Sequence, residues 1–280
     1  MEIENLDRLT TLGHANRMAV FRLLMRRYPG YVPAGELVHA LDLKPSTLSV
    51  YLSALTRVGL ITQKRVATSL QYQANLDAAR EVSDFVFRDC CQGRAQLCQP
   101  FKPSALEKTN DGRVKFNVIF ICTGNSARSI LAESILRFEA GDRFNAFSAG
   151  THPAAQPNPF ALELLTAQGH DISGLASKNL DAFQASDAPQ MDFIFTVCDA
   201  AANEECPIWP GRPISGHWGL PDPAAVGGTD VEKRQAFERA YDHICARITE
   251  FVKLPTKAFG EPEIQTIIDE IGAMPASSES

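Results

Sequence analysis

A cysteine and an arginine stand six positions apart in the segment CTGNSARS, at residues 122–129. A loop of this length between them can bind a tetrahedral oxyanion, because successive backbone N–H groups form a concave nest. The helix predicted after the loop adds the positive end of its dipole. We therefore predict that the pKa of the Cys122 thiol is lowered and that its thiolate attacks the bound anion.

The other residues of the loop have predicted roles as well. The planar guanidinium of Arg128 can bind two anion oxygens. Ser129 is placed to donate a hydrogen bond to the sulfur, Gly124 permits the turn, and Asn125 can hold the shape of the loop. The predicted anion-binding residues are Thr123, Gly124, Asn125, Ser126, Ala127, Arg128 and Ser129.

A general acid is predicted in the segment HWGLPDPAAV, where Asp222 precedes Pro223 on a loop after the predicted strand RPISGHW. An aspartate there can protonate an oxygen as it leaves. A turn aspartate is the commoner role for such a residue, but the oxyanion loop in the same half of the chain favours the catalytic one.

Three of the seven cysteines, Cys90, Cys91 and Cys98, fall within nine positions. Thiolates are soft ligands that select soft ions. Zinc requires a fourth ligand, and the first hundred residues offer only His14 and His39, far upstream. A trivalent arsenic or antimony ion takes three sulfurs in a pyramid, so the cluster favours a metalloid. The alternative is a buried Cys90 with two incidental loop thiols.

The elements that position the oxyanion loop follow from the hydrophobic pattern around it. An apolar run at 114–122 predicts a central strand of a parallel sheet, and the loop leads into a predicted helix. Further strands are predicted at 144–150 and 192–198, with helices near ALELLTAQG and EKRQAFERAYDHICARITEF. This alternation indicates an open parallel α/β sheet with the loop at a strand's carboxyl end.

The first hundred residues predict a winged helix-turn-helix. Apolar spacing predicts helices at 14–27, 34–41 and 45–60, and ITQKRV and LQYQAN alternate as the strands of a hairpin. In such a motif the second helix enters the major groove and the hairpin meets phosphates. The predicted DNA-binding residues are Ser46, Thr47, Ser49, Tyr51, Lys64 and Arg65. The alternative is a small helical domain that makes only protein contacts.

Length and charge fit this division. A chain of 280 residues predicts two domains, and 45% apolar with 21% charged residues is typical of a globular protein. The formal net charge of −6 divides into +3 for residues 1–100 and −9 for residues 101–280. A mildly basic front half is compatible with DNA binding.

The predicted organisation is a winged-helix domain at 1–98, a polar linker at 99–113, a sheet domain at 114–256, and a C-terminal helix and tail at 257–280. The start MEIENLDR lacks the features of a signal peptide, and the apolar run FNVIFIC is too short to span a membrane. A cytoplasmic location without membrane contact is expected, where thiols stay reduced.

The segments LGHANRMAVFRLL and GELVHALDLKPSTLSVYLSALTRVGLI, with the hairpin after them, resemble the ArsR/SmtB family of arsenic-responsive repressors. The resemblance implies a homodimer on palindromic operator DNA, released when a metal or metalloid binds. Some members carry two thiols in the helix before the recognition helix, but GELVHALDL has no cysteine. Others carry a CC…C cluster after the last helix, which implies an arsenite site at Cys90, Cys91 and Cys98. A helix predicted at 77–90 delivers the first of these thiols.

Residues 114–256 resemble the low-molecular-weight phosphatase fold, which includes phosphotyrosine phosphatases and thiol-coupled arsenate reductases. The segments TVCDAAANEECPIWPG, SAGT and HWGLPDPA match the reductase branch. A phosphatase needs one cysteine because water completes its cycle, whereas a reductase must supply two electrons. The resemblance therefore implies redox roles for Cys198 and Cys206. The alternatives are a core residue at a strand end for Cys198 and an incidental loop thiol for Cys206, and Cys245 is predicted to be a core residue.

The resulting hypothesis is an arsenite-responsive repressor fused to an arsenate reductase, with no resident cofactor and arsenite as regulatory ligand. Cys122 would attack arsenate while Asp222 protonates the leaving oxygen. Cys198 and then Cys206 would pass the oxidation to a thioredoxin- or glutaredoxin-type reductant. Two alternatives stay open: a protein tyrosine phosphatase fused to a DNA-binding domain, and a non-catalytic transcription factor that senses an oxyanion or redox state.

Overall fold

The computed structural model describes residues 2–92, 115–185, 187–204, 209–211, 213–261 and 263–275. The chain divides into two compact units, Met1–Phe101 and Lys102–Ser280. Three predicted features, Cys98, Cys206 and the linker at 99–113, lie outside the described residues.

The first unit combines helices with a small antiparallel sheet. Its helices are α1 (Glu2–Leu12), α2 (Ala15–Arg26), α3 (Ala34–Ala40), α4 (Pro45–Arg57) and α5 (Leu76–Asp84), and its strands are β1 (Val32–Pro33), β2 (Ile61–Val66) and β3 (Ser69–Ala74). The strand order is β1-β3-β2, and β2 and β3 form the predicted hairpin. These elements confirm the winged helix-turn-helix.

Two features of this unit differ from the sequence prediction. Helix α1 was not predicted, although Ile3, Leu6, Leu9 and Leu12 recur at a spacing of three; the residues that it fully buries are the polar Asn5 and Thr11. The helix predicted at 77–90 is α-helical only to Asp84, and Phe85–Cys90 form a π-helical turn. Apolar periodicity over so short a segment does not distinguish these two forms.

Burial fixes which face of α4 is free. Leu48, Leu52 and Leu55 are buried in one core that also contains Leu23 and Leu24 of α2. Because side chains three or four positions apart share a helix face, the polar side of α4 is turned away from that core.

The second unit is an open parallel sheet with helices. Its strands are β4 (Phe116–Cys122), β5 (Phe144–Gly150), β6 (Phe193–Thr196) and β7 (Ile214–His217), and its helices are α6 (Arg128–Ala140), α7 (Pro159–Ala167), α8 (Asp199–Asn203), α9 (Asp230–Lys253) and α10 (Ile264–Gly272). All strand pairs are parallel, in the order β5-β4-β6-β7. The predicted fold class is confirmed.

Strand β4 lies inside the sheet, and six of its seven residues are buried. This burial explains the continuous apolar run in the sequence. Parallel pairing brings the carboxyl ends of all four strands to one edge, where Cys122 pairs with Gly150 and Thr196 with His217.

Helix α10 packs on the edge strand β7 through Ile264, Ile268 and Ile271. The Gln265 side chain donates a hydrogen bond to the Ser215 carbonyl (2.9 Å). Within the described ranges, no helix combines the length and apolar character needed to cross a bilayer.

Candidate active site

The backbone carbonyls of residues 122–127 all accept hydrogen bonds from residues outside that run. The donors, in chain order of the acceptors, are Thr151 N (3.2 Å), His152 N (2.9 Å), Ala154 N (2.8 Å), Ser177 Oγ (2.8 Å), Asn158 N (2.8 Å) and Leu131 N (2.9 Å). Because a trans peptide N–H points opposite to its carbonyl, the following N–H groups are directed towards the interior of the loop. This is the geometry of an anion nest.

Asn125 is the central residue of the loop. Its buried side-chain amide donates to Ser129 Oγ and Ser148 Oγ (both 2.8 Å) and accepts from Lys178 N (2.7 Å). Its φ of 42° lies in the left-handed region, which asparagine tolerates better than most residues. The sequence assigned the turn to Gly124, and this was wrong, since Gly124 is not among the described positive-φ residues.

The glycine that the loop requires is Gly150, at the end of β5. A Cβ atom there would lie 2.6 Å from the Thr123 carbonyl oxygen. The segment SAGT must therefore contain a glycine at its third position to pass under the oxyanion loop. This gives a physical reason for one of the sequence patterns.

Cys122 is buried, and its sulfur lies 3.0 Å from Ser129 Oγ and accepts from Asn125 N at 3.0 Å. Burial raises the pKa of the Cys122 thiol and Cys198 raises it further, while the hydrogen bonds from Ser129 and Asn125 lower it. The sequence predicted a lowered pKa for Cys122, and this was wrong, because the hydrogen bonds do not outweigh the burial of the sulfur.

The loop arginine is paired with the predicted general acid. Arg128 donates to Asp222 Oδ2 (2.8 Å) and to the Leu220 carbonyl (3.0 Å). Its buried Nε has no hydrogen-bond partner among the described residues. Asp222 also accepts from Ala224 N (3.1 Å), and its side chain is 40% exposed. The structure thus places Asp222 beside the oxyanion loop.

A second buried thiol lies at the same loop. Cys198 follows β6 and caps α8, where its sulfur accepts from Ala201 N (3.4 Å). The same sulfur lies 3.5 Å from the hydroxyl of Thr123, the residue after Cys122. Cys206 lies outside the described residues, but Glu204 accepts from the Thr151 hydroxyl (3.0 Å). Cys245 is half-buried at the edge of the core.

The sequence interpretation missed a buried carboxylate behind the loop. Glu133 on α6 accepts from Ser148, from Arg137 and from Lys178 Nζ (3.0 Å), and Ser148 in turn accepts from Asn125. Its signal was available, because a glutamate inside the apolar segment ILAESIL must be buried with partners.

In the first unit, the predicted DNA-binding residues differ in exposure. Ser46 and Ser49 are exposed on α4 and Thr47 is half-buried. Tyr51 is half-buried because its hydroxyl accepts from Asn16 (3.3 Å) and its ring packs 5.0 Å from the ring of His14, measured between centroids.

Both predicted phosphate contacts on β2 are exposed. Lys64 Nζ lies 3.8 Å from the centroid of the Tyr31 ring, and Arg65 follows it in the strand. A cation over a tyrosine face is held in place while it stays accessible.

Two of the three clustered thiols are described. Cys90 is exposed at the end of the π-helical turn, and Cys91 is half-buried, with its N–H bonded to the Val86 carbonyl (2.9 Å). In the part of the chain that the structure describes, no group of three His, Cys, Asp or Glu side chains is placed to hold a metal ion.

Comparison with known proteins bears on the second unit. The sequence profile of the family described as low molecular weight phosphotyrosine protein phosphatase matches residues 117–258, about half of the chain. An arsenate reductase of Bacillus licheniformis is 38% identical over 139 residues, which cover 50% of this chain and 96% of that protein. Arsenate reductase 1 of Staphylococcus epidermidis is 40% identical over 142 residues, covering 49% of this chain and 96% of that protein.

Two solved structures show weak likenesses. A thioredoxin-dependent arsenate reductase of Corynebacterium glutamicum has a TM-score of 0.38 and 22% identity, covering 79% of this chain and 92% of that one. An ArsR-like transcriptional regulator from Rhodococcus has a TM-score of 0.29 and 18% identity, covering 34% and 88%. Likenesses this weak carry no argument. The profile match and the similarity to the arsenate reductases are stronger. They show that the chain belongs to the low molecular weight phosphotyrosine protein phosphatase family.

Proposed function

We propose that the second unit reduces arsenate to arsenite. The observation that carries this proposal is the contact between the buried Cys198 sulfur and the hydroxyl of Thr123, which follows the Cys122 nucleophile. Hydrolysis of a phosphate ester needs one thiol, whereas a second thiol at the same loop can supply the electrons of a reduction. Curated relatives named arsenate reductases support the same substrate.

The first step forms a bond between the Cys122 sulfur and arsenic. Arsenate lies in the nest. The Arg128 guanidinium gives up its hydrogen bonds to Asp222 and to the Leu220 carbonyl and donates to anion oxygens. The thiolate attacks arsenic, one arsenic–oxygen bond breaks, and the oxygen leaves as water with a proton from Asp222. Burial raises the pKa of Cys122, and the hydrogen bonds from Ser129 and Asn125 act in the opposite direction, towards the thiolate.

The second step transfers two electrons to arsenic. The Cys198 thiolate attacks the Cys122 sulfur, and the sulfur–arsenic bond breaks with its electron pair on arsenic. Arsenic(V) becomes arsenic(III) and leaves as arsenite, while a Cys122–Cys198 disulfide forms. Cys206 then attacks Cys198, releases the Cys122 thiolate, and leaves a Cys198–Cys206 disulfide. An external dithiol protein of the thioredoxin or glutaredoxin type reduces that pair, as expected in the cytoplasm.

The test is turnover of arsenate by the purified full chain with thioredoxin, thioredoxin reductase and NADPH, and separately with a glutaredoxin system. We expect Cys122→Ser to abolish arsenite formation and Cys198→Ser to prevent its release. Cys206→Ser should release one arsenite per chain and then stop. Cys245→Ser is the matched control and should turn over normally. Sustained turnover by Cys198→Ser would contradict the proposal.

Hydrolysis of phosphate esters is a second candidate, favoured by the pairing of Arg128 with Asp222 and by the family itself. That reaction needs Cys122, Arg128 and Asp222 only. A wild-type protein that hydrolyses para-nitrophenyl phosphate rapidly and forms no arsenite with any reductant would establish this candidate instead.

For the first unit we propose sequence-specific binding of a two-fold symmetric operator by a homodimer. Helix α4 carries no acidic residue, and Lys64 and Arg65 are exposed on the hairpin. Arsenite bound by Cys90, Cys91 and Cys98 would weaken this binding. The affinity for operator DNA should fall steeply with salt, because phosphate contacts release counterions. Binding that is insensitive to both salt and DNA sequence would contradict it.

A further inference from the structure

The buried imidazole of His217 contacts two side chains, one on each side of Cys198 in the sequence. His217 Nδ1 lies 2.9 Å from the hydroxyl of Thr196, and its Nε2 lies 3.0 Å from Asp199 Oδ1. Thr196 ends β6 and Asp199 begins α8, so that only Val197 and Cys198 lie between them. We call Thr196, His217 and Asp199 the His217 bridge.

The sheet holds one end of this bridge in place. His217 is the last residue of β7, where it pairs with Thr196 and is 8% exposed. The next N–H, that of Trp218, donates to the Thr196 carbonyl (2.8 Å). Arg247, buried on α9, donates to the Trp218 carbonyl (2.8 Å). The sheet and Arg247 therefore hold the imidazole in place, and the imidazole in turn holds the Asp199 side chain.

The glycine after Trp218 makes this contact possible. A Cβ atom at Gly219 would lie 2.5 Å from His217 Nε2 and 2.6 Å from Asp199 Oδ1, so any other residue would force the two side chains apart. The segment HWG thus supplies both the ring and the space for its contact. Since the Asp199 carboxylate is 56% exposed, its pairing with His217 contributes little to stability by itself.

Both ring nitrogens of His217 are engaged, and neither is bonded to the Cys198 sulfur. The histidine therefore acts on that thiol through the backbone of the turn. A disulfide requires the two sulfurs to approach to about 2.0 Å with a defined dihedral angle. The position of the Cys198 sulfur, between Thr123 and the N–H of Ala201, depends on the turn that the bridge closes.

We propose that His217 is a positioning residue for the Cys198 thiol. The bridge holds the Cys198 turn against the sheet, so that its sulfur faces the oxyanion loop and can attack the Cys122 sulfur. This inference builds on the proposed reduction of arsenate, since a hydrolytic cycle makes no use of Cys198. It assigns His217 and Asp199 to the disulfide-forming step and not to the binding of arsenate.

The test compares two reactions of the same preparations. One is single-turnover release of arsenite from a Cys206→Ser background without reductant, and the other is hydrolysis of para-nitrophenyl phosphate. His217→Ala should slow arsenite release by about tenfold to a hundredfold, the effect of misplacing a reacting group by roughly 1 Å. The KM for arsenate and the rate of hydrolysis should change much less.

Two further variants separate positioning from general damage. Gly219→Ala keeps the imidazole but pushes it from Asp199, and should produce the same selective loss. His217→Gln, whose amide can still reach one or both partners, should restore part of the rate. His243→Gln, a histidine of α9 outside the bridge, is the matched control. Alkylation of Cys198 by iodoacetamide should become faster in His217→Ala, because the turn opens.

The outcomes distinguish a failure of the positioning role of His217 from a failure of the proposed reduction of arsenate. A wild-type protein that hydrolyses the ester but forms no arsenite would overturn the proposed reduction and this inference together. Wild-type release of arsenite with an unchanged ratio of the two reactions in His217→Ala and Gly219→Ala would overturn the inference alone. A selective fall in arsenite release in both variants would support it.

Discussion

The oxyanion loop and the clustered thiols of the first unit are both candidate sites for arsenic, but they are built differently. In the loop, the carbonyls of residues 122–127 all have hydrogen-bond partners, and Asn125 and Ser129 are completely buried. Cys90, by contrast, is exposed at the end of a π-helical turn, and Cys91 is half-buried.

The difference fits the role that we propose for each site. A catalytic site gains from donors that are fixed before the reaction, because no reorganisation is then needed in the transition state. A sensor gains from the reverse arrangement, because a ligand that organises its own site can drive a change of conformation. We therefore expect substitutions in the loop to lower both the stability and the activity of the protein. Substitutions of the clustered thiols should abolish only the response to arsenite.

The largest effect should follow from Asn125→Ala. The change leaves Ser148, Ser129 and the Lys178 N–H without their amide partner and places alanine in the left-handed region. We expect a loss of about 2–4 kcal/mol in the free energy of unfolding and loss of arsenate reduction. Urea unfolding and turnover measure both. Asn145→Ala is the control, at an exposed asparagine of β5 whose amide donates to Asn117 Oδ1 (2.9 Å); it should cost about 1 kcal/mol or less and leave turnover unchanged.

A smaller effect is expected one layer behind the loop. Lys178→Met removes one of the two cationic partners of the buried Glu133 carboxylate, which keeps its contacts with Arg137 and Ser148. Weakening a buried ion pair without removing both partners costs about 1–3 kcal/mol. The double variant Lys178→Met/Glu133→Gln should recover part of this loss in urea unfolding. Equal stability of wild type and Lys178→Met would show that Arg137 alone balances the charge.

The strand, loop and helix that form the framework of the catalytic unit could be predicted from the sequence, because local patterns define them. The apolar run of β4, the loop length and the helix after it lie within one short segment, and periodicity with spacing defines them. The contacts that shape the loop come from Ser148, Ser177 and Lys178, which are distant in sequence. Which loop residue takes a left-handed conformation depends on those distant partners, so the turn was assigned to Gly124 and not to Asn125.

The same limit explains the other differences. The direction of the pKa shift of Cys122 depends on how deeply the sheet and helices bury its sulfur, which no local pattern gives. The His217 bridge was missed because His217 lies 21 positions after Thr196 and 18 positions after Asp199, so that no local pattern joins them.

Helix α10 lies beyond the residues that match the family profile, and it contributes a pH dependence of its own. Burial raises the pKa of Asp269 to about 6. The pKa of Asp269 is higher in the folded than in the unfolded state. Its contribution to the free energy of unfolding is therefore most favourable below about pH 4 and is lost as the pH rises through 6. Solvent screening at this half-buried site leaves an effect of about 1 kcal/mol.

The measurement is the difference in urea unfolding between wild type and Asp269→Asn at pH 4.5 and at pH 7. Taking this difference removes the contribution of His170, whose pKa is lowered by burial and which destabilises the fold at low pH. Relative to the asparagine variant, the wild type should lose stability between the two pH values. Asp142→Asn, at an exposed position, should show no such change.

The smallest effect on stability is expected for the triple replacement of Cys90, Cys91 and Cys98 by serine. Cys90 is exposed, and Cys91 caps the π-helical turn through its backbone N–H, which serine keeps, so we expect a change of less than about 0.5 kcal/mol in the free energy of unfolding. Arsenate reduction should be unchanged, because its chemistry needs only the thiols of the second unit. DNA binding by the variant should persist but no longer respond to arsenite. Because linkage is reciprocal, wild-type protein bound to DNA should also bind arsenite more weakly by the factor through which arsenite weakens DNA binding. If arsenite still released the triple variant from DNA, the sensor would lie elsewhere, and the comparison between a prebuilt catalytic site and a ligand-organised one would not hold.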